Sequence, residues 1–261
     1  MVPPGKSEVA VPSTQGIKYA GSKRKLIAPI LSLATRVGAR SVWDGFAGTT
    51  RVGQAFAKSG YRVVSSDLAV WSRVFGDCYL RAGGDRARYA SLIDHLNAVV
   101  PLDGWFTENY GGPENGGCAV HPDHQVKRLW QHHNTRKLDA IRAEIDHLGL
   151  VDLDKAVALT SLIRALDKVD NTLGHYASYL RRWSPRSYRD VHLEIPALFA
   201  SREDHQVFMG DVFDVRPDID VELAYFDPPY GSNNEKMPPS RVRYASYYHI
   251  WKTICLNDQP E

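Results

Sequence analysis

Four apolar runs in this chain each end on an aspartate: SVWD on Asp44, YRVVSSD on Asp67, HQVFMGD on Asp211 and VELAYFD on Asp227. Each is short, rich in β-branched or aromatic residues and bounded by turn residues, a pattern that predicts buried strands. Between the first two lies GFAGTTRVGQAFAKSG, a glycine-containing turn followed by a helical pattern that stops at Gly60. That pair reads as a βαβ unit, whose strands run parallel. The four acids then lie along one sheet edge, the carboxyl edge at which open α/β sheets hold their ligands.

The rest of the chain is arranged around these strands. Residues 1–17 read as a flexible tail, and a helix is expected from about Ser22 as N-cap, with Leu26, Ile30 and Leu33 as its apolar positions. Residues 68–200 are helical in texture and separate the two strand pairs, so the expected organisation is a core of residues 18–67 and 201–261 with a helical insert. At 261 residues and 43% hydrophobic content, such an α/β domain can bury a substantial core. Three widely spaced cysteines argue against a disulfide framework and for a reducing compartment. With no signal-type apolar segment and no run long enough to span a bilayer, the expectation is a cytoplasmic protein.

The glycine turn DGFAGTTRVGQ is not a common phosphate loop. Gly48 to Gly53 has P-loop spacing, but Gln54 and Ala55 stand where the lysine and Ser/Thr belong; Gly45, Gly48 and Gly53 also have the wrong intervals for a dinucleotide fingerprint. What remains is a close backbone approach at a helix N-terminus, with acids on either side. Asp67 suits a ribose diol, so the ligand expected is a nucleoside whose tail need not be a polyphosphate.

After VELAYFD the chain continues PPYGSNNEKM. The prolines cannot extend a ladder, which leaves an acid, free carbonyls and a ring around one small space. A net charge of +2 is too mild to declare a nucleic-acid binder, but RRWSPRSYR concentrates Arg181, Arg182, Arg186 and Arg189 around Trp183 and Tyr188 without an acid, a pattern suited to phosphates and stacking. Solvated-surface readings remain open for this stretch and for Lys23. CAVHPDHQVKRLWQHHN offers Cys118, His121, His124, His132 and His133, but one cysteine with irregular histidines matches no structural zinc site, and no metal is expected.

Three motifs in order, YAGSKRKL, WDGFAGTTRVGQAF and DPPY, resemble those of the Dam-like, DPPY-type DNA adenine methyltransferases, and the similarity extends over nearly the whole chain from about Lys18. The resemblance implies a Rossmann-like, S-adenosylmethionine-dependent methyltransferase sheet. It implies that Tyr19, Gly21 and Lys23 meet the methionine end of the cofactor, the lysine near its carboxylate. Asp44, Phe46, Ala47 and Gly48 would form the turn around it, Asp67 would hold the ribose, and Asp211 with Val212 would meet its adenine. Asp227, Pro228, Pro229 and Tyr230 would be catalytic. One departure is Gly45, where many relatives carry proline.

The implied reaction is transfer of a methyl group to the N6 amino group of an adenine in DNA. Asp227 and the Pro228 carbonyl would accept its two N–H groups and aim the nitrogen lone pair, and Tyr230 would stack on the flipped base. Methylation of an amino group in RNA or protein, and a non-catalytic DNA-binding or regulatory role, stay as alternatives. Dam-like relatives usually carry further strands after DPPY. Here the expected C-terminal strands are missing, which predicts an exposed sheet edge completed by a second copy or a partner.

Overall fold

The computed structural model describes residues 10–114, 128–215, 219–229 and 244–259. Its centre is a four-stranded parallel sheet of order β3-β2-β1-β4, with β1 Ser41–Asp44, β2 Arg62–Asp67, β3 Gln206–Met209 and β4 Leu223–Tyr225. Asp44 and Asp67 are the last residues of their strands, and Asp211 and Asp227 lie two beyond theirs, so the four acids do share the carboxyl edge. The chain leaves β1 toward β2 and β3 on one side and returns to pair β4 on the other. The switch point therefore falls between β1 and β4, where a crevice opens in a sheet of this kind.

Strand alternation divides the burial. Val42, Val63 and Val207 point to one face, where they pack with Ile27, Leu31 and Ala34 of α1 (Ile27–Val37) and Val52, Ala55 and Phe56 of α2 (Arg51–Lys58). Toward the opposite face, Trp43 and Val64 are buried while Ala224 is exposed and Phe226 is 49% exposed. The expected helix after Ser22 begins later and in a different phase. Two turns precede it, Ser22 makes no side-chain cap, and Leu26 and Leu33 are exposed while Ile27, Leu31 and Ala34 are buried and Ile30 packs partly against them. The tight turn at Gly21 uses the residues that a helical reading places in the first turn. At its other end α1 stops on Gly38, whose left-handed conformation lets its N–H reach the carbonyls of Ala34 and Thr35.

The helical texture of residues 68–200 is realised as α3 (Val70–Gly76) running into a π-turn (Asp77–Arg81), α4 (Ala87–Ala98), α5 (Trp105–Tyr110), α6 (His132–His147) and α7 (Asp152–Val169). These share one apolar core with Ile17 and with α9 (Tyr244–Leu256), including Phe75, Trp130, Leu162, Leu166 and Trp251. Gly76 sits against β3 because a Cβ there would meet Val207 at 2.6 Å. Arg142, 1% exposed, donates from Nε to the Ile254 carbonyl at 2.6 Å, placing a cation at the C-terminal end of α9. Cys78 and Cys255 are buried free thiols. His132 faces Asp103 and His133 faces Asp190, whereas Cys118, His121 and His124 lie outside the described residues. No described helix is long and apolar enough to cross a membrane.

One buried histidine fixes the start of β2. The Nδ1 atom of His205 accepts the Val63 N–H at 3.1 Å, and burial pulls the imidazole pKa below its ordinary value. The neutral ring is therefore the form the fold requires. A histidine whose folded pKa is lowered stabilises above its unfolded value, and that contribution is lost as pH falls below about 6.5. His205→Leu is expected to cost about 1–3 kcal/mol at neutral pH by stranding the Val63 N–H. Urea unfolding should show the gap between the two proteins narrowing from about pH 7.5 to about pH 5.5. A gap independent of pH would remove His205 from this role.

Candidate active site

The turn after β1 is held by the two acids that flank it. Asp44 is 1% exposed, and its Oδ2 accepts the Gly53 N–H at 3.1 Å, tying the strand end to the first turn of α2. Asp67 accepts the Gly48 N–H on Oδ2 at 2.8 Å and the Ala69 N–H on Oδ1 at 2.9 Å. Gly48 (φ 49°) and Thr50 (φ 57°) are both left-handed, and for a β-branched threonine that conformation is strained. Thr50 is fully buried and bonded through its backbone and hydroxyl to Gln54, which keeps it there. Glycine is required at 48, because a Cβ there would lie 3.2 Å from the Tyr19 ring.

Gly45 has an equally local cause. A Cβ at this position would come within 2.4 Å of the Phe226 ring, which stands edge-on to Trp43 at 4.8 Å and to Phe46 at 6.1 Å. The absence of a side chain at Gly45 is thus matched by a bulky aromatic immediately before Asp227.

The facing wall is the segment from Lys18 to Lys23. The Tyr19 ring packs against Trp71, Tyr244 and Tyr248, and the Ala20 N–H donates to the Tyr248 hydroxyl at 2.6 Å. Gly21 (φ 95°) leaves room for the Tyr244 hydroxyl, 2.9 Å from where its Cβ would be. The Lys23 ammonium pairs with the Asp227 carboxylate and donates to the Gly21 carbonyl at 2.9 Å.

A cleft between these walls is lined by Tyr19, Gly21, Lys23, Asp44, Phe46, Ala47, Gly48 and Asp227. Asp67 stands behind Gly48, and Val212 lies beside Gly45, 3.3 Å from its absent Cβ. Asp211 opens the short helix α8 (Val212–Val215), accepting the Phe213 N–H at 2.9 Å. Pro228 and Pro229 follow Asp227 and are exposed; Tyr230 lies outside the described residues. Sequence reasoning missed Ser22, Thr49, Arg51 and Tyr225, which also line the cleft. Arg51 carried a usable signal, a cation at the first position of the helix after the glycine turn. Its Nε is buried without a hydrogen-bond partner, and burial lowers its pKa.

Electrostatically, the cleft sets buried acids beside the cations Lys23 and Arg51. Burial, then the charge of Asp67, pushes the Asp44 carboxyl up to about 7, and burial raises Asp67 against the N–H bonds it accepts. A positive group in the cleft would relieve both. The two Asp67 oxygens each take one N–H and keep lone pairs for a pair of hydroxyls. The residues present therefore fit a nucleoside with a charged tail.

The four loop arginines divide into two groups. Arg186 is turned inward, donating to the Asp170 carboxylate at 2.8 Å and to the carbonyls of Asp170 and Thr172 at 2.7 and 2.5 Å. Arg181, Arg182 and Arg189 are exposed around Tyr188.

The chain is similar to known proteins along most of its length. The chain is 28% identical over 258 residues to "Modification methylase StsI" of Streptococcus sanguinis, covering 94% of this chain and 37% of that protein. It is 27% identical to "Type II methyltransferase M.NlaIII" of Neisseria lactamica (93% of this chain, 70% of that protein). It is 26% identical to "Modification methylase LlaI" of Lactococcus lactis subsp. lactis (94% and 39%). The chain thus spans well under half of two of these relatives. No solved structure matches it significantly. The family described as "D12 class N6 adenine-specific DNA methyltransferase" matches residues 19–261, and the chain belongs to that family.

Proposed function

We propose that this protein transfers a methyl group from S-adenosylmethionine to the N6 amino group of adenine at specific sites in DNA. The observation that carries this reading is the meeting of Asp227 with the Asp44–Gly48 turn in one cleft at the sheet's switch point. An acceptor acid and a nucleoside pocket there share a floor. The cofactor supplies an activated methyl on a sulfonium; Asp67 would hold its ribose, Asp44 and Phe46 to Gly48 would surround it, and Asp211 and Val212 would meet its adenine.

Asp227 does the work at the acceptor. An adenine amino group is a weak nucleophile because its lone pair is delocalised into the ring. Acceptance of one N–H by the Asp227 carboxylate and the other by the Pro228 carbonyl localises that pair and aims it. The ammonium of Lys23 already occupies the carboxylate as a nitrogen donor, which supports Asp227 as an acceptor for N–H groups. An incoming amino group would displace that contact and free Lys23 toward the cofactor carboxylate. Pro229 fixes the chain beyond, and Tyr230 is assigned to stacking on the flipped base.

The helical region 68–200 is assigned to DNA recognition, with Arg181, Arg182 and Arg189 on phosphates and Arg186 holding their loop. The outer side of β4 is unpaired among the described residues, and Phe226 just after it is exposed; both support a sheet completed by another strand or a second copy. The proposed setting is the cytoplasm.

Incubation with labelled S-adenosylmethionine and unmethylated plasmid, RNA or bulk protein tests the reading; label in RNA or protein but not in DNA would reject it. Asp227→Ala is expected to reduce transfer by about 10²-fold or more while cofactor affinity is retained. Asp67→Ala should do the reverse, weakening cofactor affinity by about 1.5–3 kcal/mol in calorimetry, with transfer partly recovered at saturating cofactor. Replacing Arg181, Arg182 and Arg189 together by alanine should weaken DNA binding evenly across sequences and lower its salt slope by up to roughly three units. An unaltered slope would place those arginines off the phosphates.

A further inference from the structure

The loop that follows α7 is fixed at nearly every residue. Asp170, fully buried, receives the Lys18 ammonium, the Arg186 guanidinium at 2.8 Å, the Thr172 hydroxyl at 2.7 Å and the Tyr176 hydroxyl at 3.0 Å. Asn171 holds the return of the loop: its Nδ2 donates to the Leu180 carbonyl at 3.0 Å and its Oδ1 accepts the Ser184 N–H at 2.9 Å. Thr172 pairs with Tyr179 in an antiparallel bridge, and its hydroxyl accepts the Gly174 N–H at 3.1 Å. The His175 ring stacks on Tyr247 at 4.2 Å, and the Tyr176 N–H donates to the Tyr247 carbonyl.

At the tip of this scaffold stands Leu173, 72% exposed. A lone exposed leucine is ordinary on a mobile surface. Here it is carried by a turn whose neighbours on both sides are locked, so the exposure is built in. Its position is specific as well. Gly174 (φ 103°) approaches Lys18, the residue before the Tyr19 wall of the cleft, and the same loop continues into the exposed Arg181 and Arg182.

An aliphatic side chain on a fixed loop that adjoins the cleft wall through Lys18, with the exposed Arg181 and Arg182 on the same loop, has the form of a wedge. A base drawn into the cleft leaves a gap in the duplex, and an apolar group that fills the gap keeps the neighbouring base pairs stacked. We propose that Leu173 enters the base stack as the target adenine leaves it. Asp170 and Arg186 act through the loop, holding Thr172 and Gly174 so that the leucine meets the duplex at a fixed height. This rests on the DNA-methylation reading above.

The test uses the full chain and a duplex carrying a methylation site mapped by sequencing methylated plasmid. Leu173→Ala should leave thermal stability and calorimetric binding of S-adenosylhomocysteine unchanged, because the side chain is exposed and outside the cofactor cleft. Single-turnover methylation of the paired duplex should fall about tenfold or more. With the target adenine opposite an abasic site, extrusion is already easy, and the variant should come within about twofold of wild type. Leu173→Met should retain most of the rate on the paired duplex. An equal loss on both duplexes, or no loss on either, would overturn the wedge. A wild-type chain that methylates no DNA would instead overturn the functional reading, and the wedge with it.

Discussion

The site depends on a mutual constraint between two buried carboxylates and the backbone turn they flank. Asp44 and Asp67 fix the N–H groups of Gly53 and Gly48, and those bonds offset only part of the burial that raises both carboxyls. A turn with left-handed residues at Gly48 and Thr50 persists only where its surroundings over-determine it. The strained turn and the buried carboxyls both cost stability, and a ligand that pairs with them offsets that cost. That strain and that buried charge are therefore both arguments for a ligand.

Much of this was legible in advance because it rests on local pattern. Strands that end on aspartates, a helix that stops at Gly60 and a proline pair after an apolar run leave periodic or punctuated signals. The carboxyl edge follows from the parallel topology they imply. The first helix was read out of phase at Leu26 and Leu33, which with Ile30 satisfy helical spacing as well as Ile27, Leu31 and Ala34 do; Ile30 alone of the three packs on the core. Only tertiary packing against α2 distinguishes the two stripes.

Charged residues were the less readable part. Arg186 lies within a basic run and carries no local mark that separates it from Arg181 or Arg182. It turns inward because Asp170, 16 positions away, is buried beneath it. Lys18 reaches the same acid across 152 positions. Partners at such distances are invisible to composition and spacing, so a cation fixing a loop and a cation facing solvent look alike. The aromatic at Phe226 was likewise unremarked, although it explains why Gly45 has no side chain.

The bond from the Ala20 N–H to the Tyr248 hydroxyl spans 228 positions and joins the two ends of the described chain at the wall of the cleft. During synthesis the Lys18–Lys23 segment emerges long before α9, so its contacts with Tyr244 and Tyr248 form only once α9 has been translated. The βαβ unit contains its own closing contacts and is free to form early. Completion of the cleft is then a late event, and an interrupted polypeptide ending before α9 would carry the facing wall without the tyrosines that back it.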